Sequence, residues 1–259
     1  TNASDRFVIG HYLGVASVGF YNPGYALGSM VAFLSAPVMY VLPSFVYAHY
    51  DQGRPERAMR YLSDGILIVV TAGLLITAVL GGLSLPLLSL LSTSEIAHRG
   101  YLVTPFVALG VTAQVCTIVV SIALGCVKKT HLMAFSSLVA AALNLGLNIL
   151  FIPHYGIIAA AATTLLAMLV DLAIRLRLAQ RHVHLTIQWR RITKAGVAAL
   201  ALGSCLFALS PASVAGLIVL VLLSPVAYAA MLVGLGVTKL SELTSGWEFT
   251  MRHFRRNES

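Results

Sequence analysis

The sequence predicts an all-α fold, a polytopic transmembrane helical bundle of about seven full helices plus one truncated helix. Three observations carry that reading. The 259 residues are 58% hydrophobic and only 10% charged, with a mean hydropathy of +0.88, whereas soluble domains are usually about 25% charged. Seven stretches are long and apolar enough to cross a hydrocarbon core as helices. The cations fall in alternate gaps between them.

The stretches run over about 23–48, 62–83, 101–125, 132–152, 156–178, 195–210 and 213–237. Arg54, Arg57 and Arg60 follow the first, Lys128 and Lys129 the third. Arg175 and Arg177 end the fifth and Arg181, Arg190, Arg191 and Lys194 follow it, with Lys239, Arg252, Arg255 and Arg256 after the last. The opposite side carries only Arg99. The positive-inside rule puts the rich side in the cytoplasm, with the C-terminus. The net charge of +8 belongs to short loops and a juxtamembrane tail, so it reads as topology and contact with membrane lipids, with no nucleic acid partner. Cys116, Cys126 and Cys205 have no ligand spacing and read as small core residues.

The chain does not open on Met or on a signal peptide, and residues 5–14 are too short to span. If Pro23 opens the next helix from outside, a complete first helix begins upstream, and Asp5 and Arg6 lie near its middle. A central Arg costs about 2.5–3.5 kcal/mol on insertion scales, so it faces a cavity or a partner. Asp5 and Arg6 project about 100° apart and cannot fully satisfy each other. A substrate-facing Arg6, a structural ion pair to another helix and an Arg snorkelling at a chain terminus all remain open here.

In the first full span, Asn22 and Pro23 suit a helix start, and Pro37 and Pro43 are candidate hinge or kink positions. Tyr21 and Tyr25 stand four apart at its outer end, as belt anchors or as stacking surfaces for sugar rings. Asn144 and Asn148 share a face of the 132–152 helix, and Gln114 and Thr117 supply polar groups to the preceding one. Such groups serve helix packing or line a hydrated cavity. Asp171 precedes Arg175 in the favoured order for an i,i+4 ion pair. Residues 181–194 read as a cytoplasmic amphipathic connector. His182 and His184 have no accompanying carboxylate or Cys, so neither a metal site nor a cofactor is expected. No catalytic motif occurs, and an enzyme is not expected.

DRFVIGHYLG followed by VGFYNPGYALGS resembles the central signature of Wzx-type polysaccharide flippases, and LNLGLNILFIPHYGIIAAAATT resembles a later stretch of the same family. These motifs also extend to the wider multidrug/oligosaccharidyl-lipid/polysaccharide (MOP) exporter superfamily. The resemblance implies the second half of a MATE-like two-bundle transporter. Residues 1–180 would then be the second six-helix bundle with its first helix truncated. Residues 181–194 would be the connector, 195–238 an appended helix pair and 239–259 a basic cytoplasmic tail.

It also implies a function: flipping undecaprenyl-diphosphate-linked oligosaccharide across the bacterial cytoplasmic (inner) membrane by alternating access. Polysaccharide polymerase and glycosyltransferases would be partners, together with the missing N-terminal bundle. Arg6 would contact the diphosphate, and Asp5, Tyr21, Tyr25, Gln114, Asn144 and Asn148 would complete the substrate site. Two other readings stand beside it. One is a multidrug or cation antiporter, for which Asp5 is a poor carrier if Arg6 keeps it ionised. The other is a non-transporting membrane scaffold.

Overall fold

The computed structural model describes residues 2–211 and 213–238. Those residues are helical throughout, joined by short turns, and contain no strand. The helices are α1 (Asn2–Leu13), α2 (Val15–Ser29), α3 (Ser35–Asp51), α4 (Pro55–Gly82), α5 (Ser84–Leu91), α6 (Ser94–Gly100), α7 (Val103–Cys126), α8 (Thr130–Gln180), α9 (Trp189–Leu209) and α10 (Val214–Gly234). Among the described residues, six helical runs are long and apolar enough to cross a membrane. Runs of that number and character are those of a multi-pass membrane protein.

Fifty-one residues of α8 would extend about 76 Å as one straight helix, more than twice a bilayer core of about 30 Å. Gly156 breaks it with φ 70° and ψ −153°, a conformation open essentially to Gly. Pro153, just before, withholds an N–H from the ladder. The two arms, 130–155 and 157–180, supply the expected fourth and fifth spans.

The start of the first span differs from expectation. Pro23 lies inside α2 and not at its first turn. The chain turns instead at Gly14, whose φ of 83° and ψ of 163° separate α1 from α2. Pro23 costs one helical hydrogen bond, and Asn22 Oδ1, a buried atom, has no partner. Close packing accompanies the irregularity. Gly24 and Gly28 lie against the backbones of Gly100 and Thr104, and the Thr104 hydroxyl donates to the Gly24 carbonyl at 3.2 Å.

A 3₁₀ segment, Met30–Leu34, joins α2 to α3. Pro37 explains its position, because a proline ring clashes with the carbonyl four residues earlier, here Phe33. Pro43 lies within α3.

The gap at 84–100 contains α5 and α6. Arg99 holds α6 to α2 by lying 4.7 Å from the centroid of the Phe20 ring, and it also pairs with Glu95 at 3.2 Å. The connector is shorter than 181–194, since Trp189 to Lys194 form the first turns of α9. Only residues 181–188 are non-helical, pinned to α4 by Ser63 donating to the Thr186 carbonyl at 2.6 Å and Gln188 donating to Asp64 at 3.0 Å.

The described residues form two main apolar cores and a small third cluster of Leu27, Leu88 and Ala97. The larger joins α1, α2, α4, α7 and both arms of α8. The smaller unites the far end of α4 with α9 and α10. Tyr228 donates to the Ala195 carbonyl at 3.1 Å, while Arg191 and Lys194 reach the carbonyls of Val237 and Leu235 just beyond α10. Cations at a helix C-terminus complement its dipole. The basic tail expected at 239–259 lies outside the described residues.

Candidate functional site

Asp5 is fully buried where α1 meets α2 and both arms of α8. Its Oδ1 accepts from Asn148 Nδ2 at 2.7 Å. Its Oδ2 accepts from the Thr164 hydroxyl at 2.8 Å and from the Tyr21 hydroxyl at 3.3 Å. Every one of these donors is neutral.

A second layer orients the first. Asn144 Nδ2 donates to the Thr164 hydroxyl at 3.1 Å, and Asn144 Oδ1 accepts from Asn148 at 3.3 Å and from Ser4 at 3.4 Å. Thr163 donates to Asn148 Oδ1, fixing which way that amide faces. The spacing explains the convergence: Asn144 and Asn148 are one turn apart on the first arm, and the turn at Pro153–Gly156 folds Thr163 and Thr164 back beside them. The result is a cluster of carboxylate, amide and hydroxyl oxygens on three crossing helices.

Arg6 takes the other direction. It is exposed, and its guanidinium carbon lies 5.6 Å from the centroid of the Tyr25 ring. Among the described residues the ion pairs are Arg99 with Glu95 and Arg175 with Asp171, and neither involves Asp5. The 100° step between neighbours separates the pair, as the helix geometry requires. Arg6 is therefore not an ion-pair partner of Asp5.

A buried carboxylate with only neutral donors carries an uncompensated charge, which costs several kcal/mol in an apolar surrounding. A proton or a monovalent cation removes that cost. Oxygen ligands suit hard cations, and the described residues hold no group of three or more His, Cys, Asp or Glu suited to a metal ion.

Of the residues expected at a substrate site, Asp5, Tyr21, Asn144 and Asn148 come together. All four are fully buried, so the asparagines serve the carboxylate and do not line an open cavity. Tyr21 and Tyr25 are interior too, with rings 5.5 Å apart, and are not belt anchors. Gln114 is exposed on α7, outside the cluster, and Thr117 bonds its own helix at the Ala113 carbonyl. Pro37 and Pro43 both lie in α3, after the 3₁₀ segment Met30–Leu34, and neither takes part in the hydrogen bonds of the Asp5 cluster. Thr163 and Thr164 were missed. Their signal is two adjacent hydroxyls ending an otherwise alanine run, one helix beyond the spaced asparagines.

The expected Asp171–Arg175 pair forms at 3.1 Å. Arg175 also donates to Ser121 at 2.7 Å, Ser137 at 2.8 Å, Ser136 at 3.1 Å and the Met133 carbonyl at 3.3 Å. This second polar knot ties α7 to both arms of α8.

A profile of the MatE family matches residues 1–150, from α1 through most of the first arm of α8. No curated protein and no solved structure matched the chain.

Proposed function

The chain belongs to the MatE family, membrane transporters of the MOP exporter superfamily, and we propose that it couples export of an anionic lipid-linked oligosaccharide to entry of a monovalent cation at Asp5. The observation that supports this most directly is the fully buried Asp5 carboxylate, held by three neutral donors and, among the described residues, by no ion pair. Such a group changes its net charge whenever a cation enters or leaves. That is what a coupling site must do.

Sodium is the ion taken for the test: the oxygens of Asp5, Asn144, Asn148, Thr163 and Thr164 lie together, and Asn148 Nδ2 and the Thr164 hydroxyl, which donate to Asp5 here, must turn for their oxygens to face an ion. Entry of one positive charge across the membrane potential yields about 2.3 kcal/mol per 100 mV, enough to bias an alternating-access cycle.

Arg6 is the candidate anion contact. A guanidinium pairs bidentately with phosphate oxygens, and Arg6 is exposed beside Asp5 without being neutralised by it. The substrate proposed is a polyprenyl-diphosphate-linked oligosaccharide, in a bacterial inner membrane with the C-terminus cytoplasmic. Polymerase and glycosyltransferase partners belong to the same proposal, as does the division into a bundle at 1–180 and an appended helix pair at 195–238. A scaffold would have little use for a buried charge without a counterion, and a drug antiporter would not need Arg6.

The test is flipping of a fluorescent polyprenyl-diphosphate oligosaccharide by the full-length protein in proteoliposomes, with and without an inward sodium gradient. Gradient-dependent flipping that disappears in Asp5→Asn is expected. Flipping of equal rate without a gradient, or unchanged in Asp5→Asn, contradicts the coupling.

A further inference from the structure

Tyr21 and Tyr25 stand one turn apart on α2, so their rings share a face. They bridge two groups that do not touch each other. The Tyr21 hydroxyl donates to Asp5 Oδ2 at 3.3 Å. The Tyr21 ring meets the Tyr25 ring at a centroid distance of 5.5 Å and an interplanar angle of 41°, and Arg6 lies over the Tyr25 ring at 5.6 Å. The path from the carboxylate to the guanidinium thus runs through two aromatic side chains, although Asp5 and Arg6 are consecutive in the chain.

We propose that Tyr21 is a positioning residue, through which cation occupancy at Asp5 displaces Arg6 from its Tyr25 platform and lowers affinity for the anionic diphosphate. This rests on the reading of Asp5 given above. A cation on Asp5 competes with Tyr21 for Oδ2. The Tyr21 side chain is fully buried, and a buried hydroxyl that loses its acceptor is costly to leave as it stands. The ring must therefore rotate within a closed shell, one wall of which is the Tyr25 ring. Tilting Tyr25 removes the surface on which the guanidinium rests, and cation–π attraction depends on the cation lying over the ring face.

The sign of the effect separates this relay from plain electrostatics. Neutralising Asp5 through space would strengthen anion binding next to it, because a nearby negative charge disappears. The relay weakens binding instead. Antiport requires that sign, since the arriving cation must help to expel the substrate.

The experiment measures binding of radiolabelled undecaprenyl diphosphate to the full-length protein in lipid nanodiscs at fixed pH, with sodium replaced stepwise by choline. In the native protein, sodium is expected to weaken binding by about fivefold or more, the lower range of site–site coupling. Tyr21→Phe keeps the ring and deletes the donor, so its sodium response should vanish or reverse. Tyr25→Leu leaves every donor to Asp5 in place and should also abolish the weakening, which covers the case in which Tyr21→Phe is unstable. Linkage supplies an independent check, because undecaprenyl diphosphate must weaken sodium binding by the same factor.

Full sodium weakening retained in Tyr21→Phe or Tyr25→Leu overturns the relay and leaves the coupling site standing. Sodium strengthening in the native protein also overturns it, in favour of direct electrostatics. No sodium response in the native protein removes the coupling site itself, and the relay with it.

Discussion

Asp5 and Arg6 share a turn of α1 yet have different neighbours. Arg6 is available to an anion because Asp5 does not neutralise it, so its replacement should be felt in transport and not in folding. If the protein exports a lipid-linked glycan as proposed, Arg6→Ala at matched membrane abundance should abolish that export in a strain that depends on the transporter. Arg6→Lys, which keeps charge but loses the bidentate fork, should restore only part of it, and export unchanged in Arg6→Ala would remove Arg6 from the substrate path. Arg175 behaves in the opposite way, since its donors go to Asp171 and to serines on α7 and α8. Arg175→Met leaves Asp171 without a partner and should cost about 3 kcal/mol, read as a lower unfolding temperature in detergent with sodium binding intact. The Asp171–Arg175 spacing was legible in the sequence because an i,i+4 pair is a local property of one helix. The Ser121, Ser136 and Ser137 cradle was not, because nothing in a single chain reports which serines from other segments will meet one guanidinium. Asp5 and its asparagines were legible as residues out of place in a membrane. Their mutual contact depended on the angle at which α1 crosses α8, which periodicity does not encode.

Helices α4, α7 and α10 were readable from hydropathy, because a stretch that must satisfy its backbone internally in lipid has little choice but to be helical. The junctions were harder. Asn22 and Pro23 look like a helix start, but tight packing of Gly24 and Gly28 against the backbones of Gly100 and Thr104 carries α2 straight through the proline. The break moved to Gly14, where φ is 83° and no neighbour would obstruct a side chain. Gly14→Ala therefore tests backbone strain alone and should cost roughly 1–3 kcal/mol, measurable as a fall in unfolding temperature; an unchanged temperature would mean that the α1–α2 junction is not strained. Gly28→Ala tests packing at the same level. Its added methyl would lie 2.7 Å from the Thr104 carbonyl oxygen, so α2 and α7 must separate, at about 1–3 kcal/mol. The same reasoning explains why residues 189–194 joined α9. Arg191 and Lys194 are needed on a helix to reach the carbonyls beyond α10, and a loose connector would not aim them.

Across the molecule, the charge asymmetry sets an orientation that labelling can check. In a background lacking Cys116, Cys126 and Cys205, a cysteine at Gln52 should react with an impermeant maleimide only from the cytoplasmic side, and one at Ser92 only from the opposite side. Reversed labelling would invert the positive-inside assignment. Within that frame, both arms of α8 and the start of α1 meet at one buried negative charge, and the cores around α7 and α9 hold the surrounding helices in place. On the proposed function, this buried carboxylate binds the ion that drives transport. That binding is tested most directly by equilibrium binding of radioactive sodium to the purified full-length protein, comparing native with Asp5→Asn and with Thr164→Val. Saturable binding that is lost in Asp5→Asn and weakened in Thr164→Val is the expected result. Sodium binding that is absent from the native protein, or equal in all three, would contradict it.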